Sequence, residues 1–372
     1  MRSILIKLTG ILVVIFTLIA LLGSVNTETV SADQYQYHPE YDDGGNVSSV
    51  SAPPTTWSNR MWDKAEMDAA IPYPMPAPKV GDQPGNRTEL PKPAVQGQPL
   101  SFPGKGALIS QPIGALDLGA PDLRIDPQGY NYPAPFTRYE NFDDYKVYPY
   151  RTVGKLYFKQ YGVSYVCSAA SIGNYAVWTA GHCVHAGNGQ ANGWSTDVVF
   201  VPAYKGTGSS SSRPYGTFKY HRLWTRANWY NRGDLEEDMG GAVLSRSGNR
   251  KISEKVGYLG FSVNQSWINA WTAIGYPTEA PFNGLRQHIC HGSMAYYDYP
   301  SGGRNTENFD VAIGCDLTGG ASGGPWILGF GSNNYINGQS SFRYAAKPLE
   351  MFSPYFGNSA LALYNQLISD HP

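Results

Sequence analysis

The chain has 372 residues, 42% of them hydrophobic, and a formal net charge of -1. That length supplies one large or two ordinary domains with a proper core, and the near-neutral balance gives no electrostatic basis for a nucleic-acid partner. The bulk of the chain reads as a soluble globular protein.

Its start does not. Residues 1–32 carry Arg2 and Lys7, then an apolar run from Leu8 to Val25, then small residues ending in Val30, Ser31 and Ala32. A basic start, an apolar middle and a small-residue exit predict a secretory signal peptide cleaved after Ala32. The apolar run is near the lower length limit for a bilayer span, so a retained anchor is the competing reading. After cleavage, no stable membrane insertion is expected and the product is extracellular.

Residues 33–145 are dense in proline and glycine, as in "AIPYPMPAPKVGDQPGNRTELPKPAVQGQPLSFPGKG". Such a composition resists helix and sheet and predicts an extended, weakly ordered pro-region or spacer. One stretch within it, "NRMWDKAEMDAAI", has the spacing of a short helix.

From residue 146 onward, short β-type runs alternate with turn signals: "RTVGKLYFKQ", "SYVCSAASIG", "YAVWTAGHCV", "TDVVFVPAY", "GTFKYHRLWT", "INAWTAIGYP" and "GPWILGF" among them. The 27 tyrosines and 9 tryptophans suit half-buried pleated surfaces. Trp224, Trp229, Trp267 and Trp271 are expected to pack in the core or between strands rather than to form a carbohydrate platform. The tail, "SALALYNQLIS", reads as a helix. The fold class is all-β, a sandwich or a pair of barrels with a C-terminal helix.

An exported chain with an even set of cysteines, Cys167, Cys183, Cys290 and Cys315, is expected to hold disulfides, with three pairings open. His182-x-x-His185 and His288-x-x-His291 each look like half of a metal site, but neither has a carboxylate or thiolate at ligand spacing on a predicted helix. No metal and no cofactor is expected.

The chemistry centres on "CDLTGGASGGPW", residues 315–326, where Gly319, Gly320, Gly323 and Gly324 surround Ser322. Glycines around one hydroxyl suit a linker, or a loop that aims backbone N–H groups at a reacting atom. A serine hydroxyl needs a base to become a nucleophile at neutral pH. "VWTAGHCVH" offers His182 on a small-residue turn after an apolar strand, and a Cys167–Cys183 bridge would hold its backbone still. A carboxylate must then orient the imidazole. "GDLEEDMGGAVLS" offers Asp234 and Asp238; Asp238, directly before a core strand, is the better placed, and Asp234 falls in a loop "RGD" triplet.

The signatures "TAGHC", "DMGGAV" and "GGASGGP", in that order, resemble the His, Asp and Ser motifs of trypsin/chymotrypsin-like serine peptidases. The resemblance spans residues 146–366 and leaves 33–145 untouched. It implies a peptidase domain over 146–372 made of two six-stranded Greek-key barrels with the active site between them. Carried over by position, it makes His182 the general base, Asp238 its orienter and Ser322 the nucleophile. The N–H groups of Gly320 and Ser322 become the oxyanion hole. Cys290 and Cys315 remain as the second bridge.

Before the nucleophile the family usually carries an aspartate that pairs with a newly released N-terminal amine; this chain has Ala321. Secreted bacterial glutamyl endopeptidases also lack that aspartate, and the local frame resembles theirs. Their specificity histidine corresponds here to Ser340, which disfavours a Glu preference. Asp316 stands where trypsin-type members hold the carboxylate that selects Lys or Arg. The function implied is a secreted, monomeric serine endopeptidase, made as a zymogen, acting on protein or peptide substrates through an acyl-enzyme. The competing reading is an inactive relative that uses its barrels for adhesion or binding.

Overall fold

The computed structural model describes residues 49–51, 62–76, 78, 93, 97–106, 134–207, 210–300 and 308–372; the expected signal peptide, residues 1–32, lies outside them. Six strands form the first half of the frame: β1 (Val153–Gln160), β2 (Val163–Ser171), β3 (Ala176–Ala180), β4 (Thr196–Pro202), β5 (Phe218–Arg226) and β6 (Met239–Leu244). Six others form the second half: β7 (Ala270–Gly275), β8 (His288–Asp298), β9 (Asp310–Gly314), β10 (Pro325–Leu328), β11 (Tyr335–Gln339) and β12 (Glu350–Pro354).

The first set closes into a ring in the order β1-β2-β3-β6-β5-β4, because β4 pairs with both β5 and β1. The second set repeats the pattern as β7-β8-β9-β12-β11-β10. Its ends meet where Phe342, just past β11, bridges to Phe352 of β12. Each half is therefore an antiparallel Greek-key barrel, and closure removes the long unpaired edges that would invite aggregation.

Alternation along the strands explains why they read as nearly continuous apolar runs. On β1, Leu156 and Phe158 point into the first barrel, whereas Val153 and Tyr157 face the seam between barrels. Trp178 of β3 joins Phe261, Ile274, Tyr276 and Ile289 of the second half in that seam. Trp271, Trp326, Ile313 and Met351 fill the second barrel. Trp224, Trp229 and Trp271 are buried, and Trp267 packs against the second-barrel core.

The C-terminal helix Asn358–Ser369 buries Ala360, Leu363, Tyr364 and Leu367, a 3–4 spacing that presents one face to β5 and β6. Each buried leucine contributes about 1.5–3 kcal/mol. Asp370 fixes the helix end by accepting Trp224 Nε1–H at 2.8 Å and pairing with Arg222 at 3.1 Å.

Part of the Pro-rich region is built into this frame rather than lying outside it. Phe136–Glu140 pairs antiparallel with β8, and Leu100–Phe102 pairs with Gly260–Val263, which in turn runs parallel to β11. Ile71–Pro72 pairs parallel with β2. The short helix expected from "NRMWDKAEMDAAI" is Lys64–Ala69, with Asp63 accepting the Glu66 N–H at 2.8 Å as its cap.

One buried group gives the fold a pH dependence. Asp310 faces Asp298 directly across the β8–β9 ladder, and like charges so placed repel. Asp298 is held by Tyr299 N–H at 2.8 Å and by the Tyr344 hydroxyl, while neither oxygen of Asp310 has a partner among the described residues. Burial, with Glu236 and Asp298 adding to it, holds the Asp310 carboxyl well above the usual carboxylate range. The folded state therefore keeps a proton that the unfolded chain releases near pH 4, so stability falls as pH rises from there through the raised value. Asp310→Asn is expected to remove that decline, worth at most about 1.4 kcal/mol per pH unit. Thermal unfolding from pH 3 to 8 measures it: the variant's curve should flatten, and parallel curves would contradict the assignment.

Candidate active site

Corresponding ends of the two barrels supply the site. β3, "AVWTA", is buried along its whole length and runs into a single tight turn, Gly181–Cys183, that carries His182. Asp238 follows the turn Leu235–Glu237 and immediately precedes β6, whose Met239 pairs with Ala180 of β3. Adjacent strands thus bring together residues 56 apart in sequence: Asp238 Oδ1 accepts the His182 backbone N–H at 2.7 Å, and Oδ2 lies 2.8 Å from His182 Nδ1. The Ser341 hydroxyl also donates to Oδ2, and Gln339 Nε2–H donates to the Asp238 carbonyl. Gln339 in turn accepts from Trp178 Nε1–H. These donors hold the carboxylate in one position against the imidazole.

Ser322 lies in the loop between β9 and β10, docked against the first barrel. Its carbonyl accepts the Ser168 N–H at 2.8 Å and lies 3.9 Å from the sulfur of Cys183, the residue next to His182. Gly323 has φ +77°, and a Cβ there would stand 2.0 Å from Thr179 Oγ1. Only glycine lets the loop approach β3 so closely. Both Ser322 Oγ and His182 Nε2 are buried, and neither has a hydrogen-bond partner among the described residues.

The backbone beside Ser322 is oriented by its carbonyls. The Gly319 carbonyl accepts Thr278 N–H at 2.7 Å, the Gly320 carbonyl accepts the Ser168 hydroxyl at 2.8 Å, and the Ala321 carbonyl accepts Gly324 N–H at 2.9 Å. In a trans peptide the N–H points opposite to the preceding carbonyl, so these bonds turn the N–H groups of Gly320 and Ser322 away from Thr278 and Gly324. Neither N–H meets an acceptor among the described residues. Gly320 has φ +94°, with space for a Cβ blocked by Thr278 Oγ1 at 2.4 Å.

The two disulfides join the expected partners. Cys167–Cys183 ties β2 to the His182 turn, and Cys290–Cys315 ties β8 to the start of the Ser322 loop. Closing the first, over a separation of 16 residues, stabilises the fold by about 3 kcal/mol. The sulfurs of Cys167 and Cys183 and the imidazole of His182 cluster within 4.8 Å, but both sulfurs are consumed in the bridge and leave no thiolate for a metal.

The expected pocket residues are arranged differently from a free selecting carboxylate. Arg138, from the strand Phe136–Glu140, places Nε 3.1 Å from Asp316 Oδ1. Ser340 is fully buried, its hydroxyl accepting Trp326 Nε1–H at 3.3 Å and its carbonyl accepting Gly323 N–H at 2.7 Å. Asp234 pairs with Arg232 within its own loop.

His185, His288 and His291 are packed against neighbouring side chains. His185 stacks on Tyr230 with ring centroids 4.3 Å apart, and burial lowers its pKa to about 4. Burial, with Arg138 and Arg286 nearby, also lowers His288 to about 4. His291 Nδ1 lies 2.8 Å from Thr272 Oγ1, and burial lowers its pKa as well.

Ser341, Gln339 and Ser168 were not singled out by sequence motifs, yet each touches the site. The first two lie on or just beyond β11, one position to either side of Ser340, and only the strand register distinguishes them. A fourth such residue, Tyr73, stacks on the His182 ring.

Comparison with known proteins agrees with this geometry. The trypsin family model matches residues 141–352, more than half of the chain. Among solved structures, the thermostable serine protease AL20 from an extremophilic microorganism is 36% identical with a TM-score of 0.53, covering 59% of this chain and 98% of that one. The protease Anisep from Arthrobacter nicotinovorans is 31% identical with a TM-score of 0.53, covering 59% of this chain and 96% of that one. No curated protein matches the chain significantly. On the family match and these two relatives, the chain belongs to the trypsin family and is a serine endopeptidase.

Proposed function

We propose that the protein is a secreted endopeptidase that cleaves peptide bonds through an acyl-enzyme formed on Ser322. The observation that carries the reading is the double grip of Asp238 on His182, through the backbone N–H at 2.7 Å and Nδ1 at 2.8 Å. With its proton held on Nδ1, the neutral imidazole presents Nε2 as the basic nitrogen. His182 then takes the Ser322 hydroxyl proton as Oγ attacks the scissile carbonyl, and returns it to the departing amine. Asp238 stabilises the imidazolium that forms between those steps. The carbonyl oxygen, now negative, is met by Gly320 and Ser322 N–H groups that need no reorganisation; each such donor is worth about 3 kcal/mol. Water repeats the sequence on the acyl-enzyme and frees Ser322.

Export is supported by the two disulfides and by the composition of residues 1–32. Among the described residues no helix is long and apolar enough to cross a membrane. Arg138 neutralises Asp316, which removes the charge argument for a Lys or Arg preference. Ala321 is fully buried and carries no carboxylate, so an inserted N-terminal amine would find no counter-charge there. Residues 33–145 act as the pro-region, by a route that does not use that insertion. Hydrolysis of peptide amides by the chain, lost in Ser322→Ala, tests the reading.

A further inference from the structure

We infer that residues 62–76 are a built-in inhibitory strap whose Tyr73 side chain caps the imidazole of His182 and keeps substrate out until the strap is displaced. The inference rests on the reading of His182 and Ser322 as the reacting pair, and it adds a device that lies outside the family match over residues 141–352.

The strap is anchored at both ends and crosses the site between them. At its start Trp62 is buried against Tyr157, ring centroids 5.7 Å apart, and donates Nε1–H to the Asp197 carbonyl at 2.7 Å. The helix Lys64–Ala69 presses Met67 into the seam between barrels, and Lys159 lies 3.9 Å from Glu66. Ile71–Pro72 then adds a short parallel strand to β2, and Tyr73 N–H donates to the Val166 carbonyl at 3.1 Å. Beyond Tyr73, Met75 packs against the core of the second barrel. The chain therefore passes from one barrel to the other next to the residues that must meet a substrate.

Tyr73 is held as a cap rather than as a loose surface ring. It lies face to face with His182, centroids 5.3 Å apart and planes 27° from parallel. Phe158 and Tyr165 flank it at 5.6 and 4.8 Å. Its hydroxyl donates to Gln160 Oε1 at 2.6 Å, and Gln160 Nε2–H reaches the His182 carbonyl at 3.2 Å. One side chain thus covers the imidazole face and, through Gln160, is tied to the backbone of the same histidine. His182 is 1% exposed and Ser322 0%. A peptide cannot approach either atom while they are this enclosed, so a productive complex needs the strap to move. Binding to a form that is populated only in part lowers apparent affinity by that fraction, which is how such a strap would hold activity down.

The test compares the full chain with Tyr73→Ala and Trp62→Ala by two readouts. One is the rate at which a diphenyl phosphonate labels Ser322; the other, independent of catalysis, is the rate at which diethylpyrocarbonate modifies His182, both read by mass spectrometry. Tyr73→Ala is expected to raise both rates by about tenfold or more, since it removes the stack, the hydrogen bond and the half-buried ring together. Trp62→Ala, which frees the strap without touching the site, should raise both by a smaller factor and keeps the test open if Tyr73→Ala does not fold. Unchanged rates in the folded variants would overturn the strap, and labelling of Ser322 in those same samples would leave the peptidase reading intact. A faster His182 modification with no labelling of Ser322 would keep the strap and remove the assigned nucleophile instead.

Discussion

Ser322→Ala is expected to lower kcat/KM for peptide hydrolysis by about 10⁴- to 10⁶-fold while leaving thermal unfolding within about 0.5 kcal/mol of the parent. The two halves of that result have separate causes. Activity falls because the other hydroxyl on the loop between β9 and β10, that of Thr318, donates to the Glu279 carbonyl at 2.9 Å and does not replace Ser322, so no acyl-enzyme can form there. Stability hardly changes because Ser322 Oγ is buried without a partner among the described residues, and losing an unpaired hydroxyl breaks no bond. The loop keeps its shape through its backbone: Ser322 carbonyl to Ser168, Gly323 N–H to Ser340. Steady-state kinetics on a peptide amide, with calorimetry on the same samples, reads both. An equal fall in stability would mean that the serine serves the fold.

Asp238→Asn is expected to lower kcat by about 10⁴-fold with a much smaller change in KM. The carboxylate accepts from His182 N–H, His182 Nδ1–H and the Ser341 hydroxyl. An amide has one oxygen to offer. If that oxygen keeps the backbone N–H of His182, the NH₂ group faces Nδ1 and Ser341, and the ring must move its proton to Nε2 to accept from it. Nε2 can then no longer take the serine proton. Substrate contacts are untouched, which is why the loss should fall on kcat. Two disrupted acceptances in a fully buried site also cost about 1–3 kcal/mol of stability, so the variant's Tm should drop as well.

The parts of this molecule that were legible in sequence are those set by neighbours in the chain. His182, Asp238 and Ser322 each stand in a short frame of small residues, because a turn after β3, a tight approach before β6 and a loop pressed on Thr179 all demand small side chains locally. Strand runs were legible because both faces of β1 and β3 are buried, and the tail helix because Ala360, Leu363 and Leu367 recur at helical spacing. What escaped depends on partners far along the chain. Ser341 reaches Asp238 across 103 residues, and no local pattern marks it. Asp316 could be matched by position, but its neutralisation by Arg138 comes from a segment read as spacer. The Pro-rich region escaped for a related reason. A strand such as Ile71–Pro72 or Leu100–Phe102 needs only backbone N–H and carbonyl groups to join an edge, and every residue but proline carries both. Composition alone is silent about such pairing, and about a tyrosine at its end resting on a histidine.

In the proposed mechanism one hydroxyl, one imidazole and two amide hydrogens converge on a single reacting carbon. A crystal structure of the chain after reaction with a diphenyl phosphonate tests it most directly. Phosphorus is expected on Ser322 Oγ, its oxygen within about 3 Å of the Gly320 and Ser322 nitrogens, with His182 Nε2 within hydrogen-bond reach of Oγ. Phosphorus on another residue, or an oxygen directed away from both amides, would contradict it.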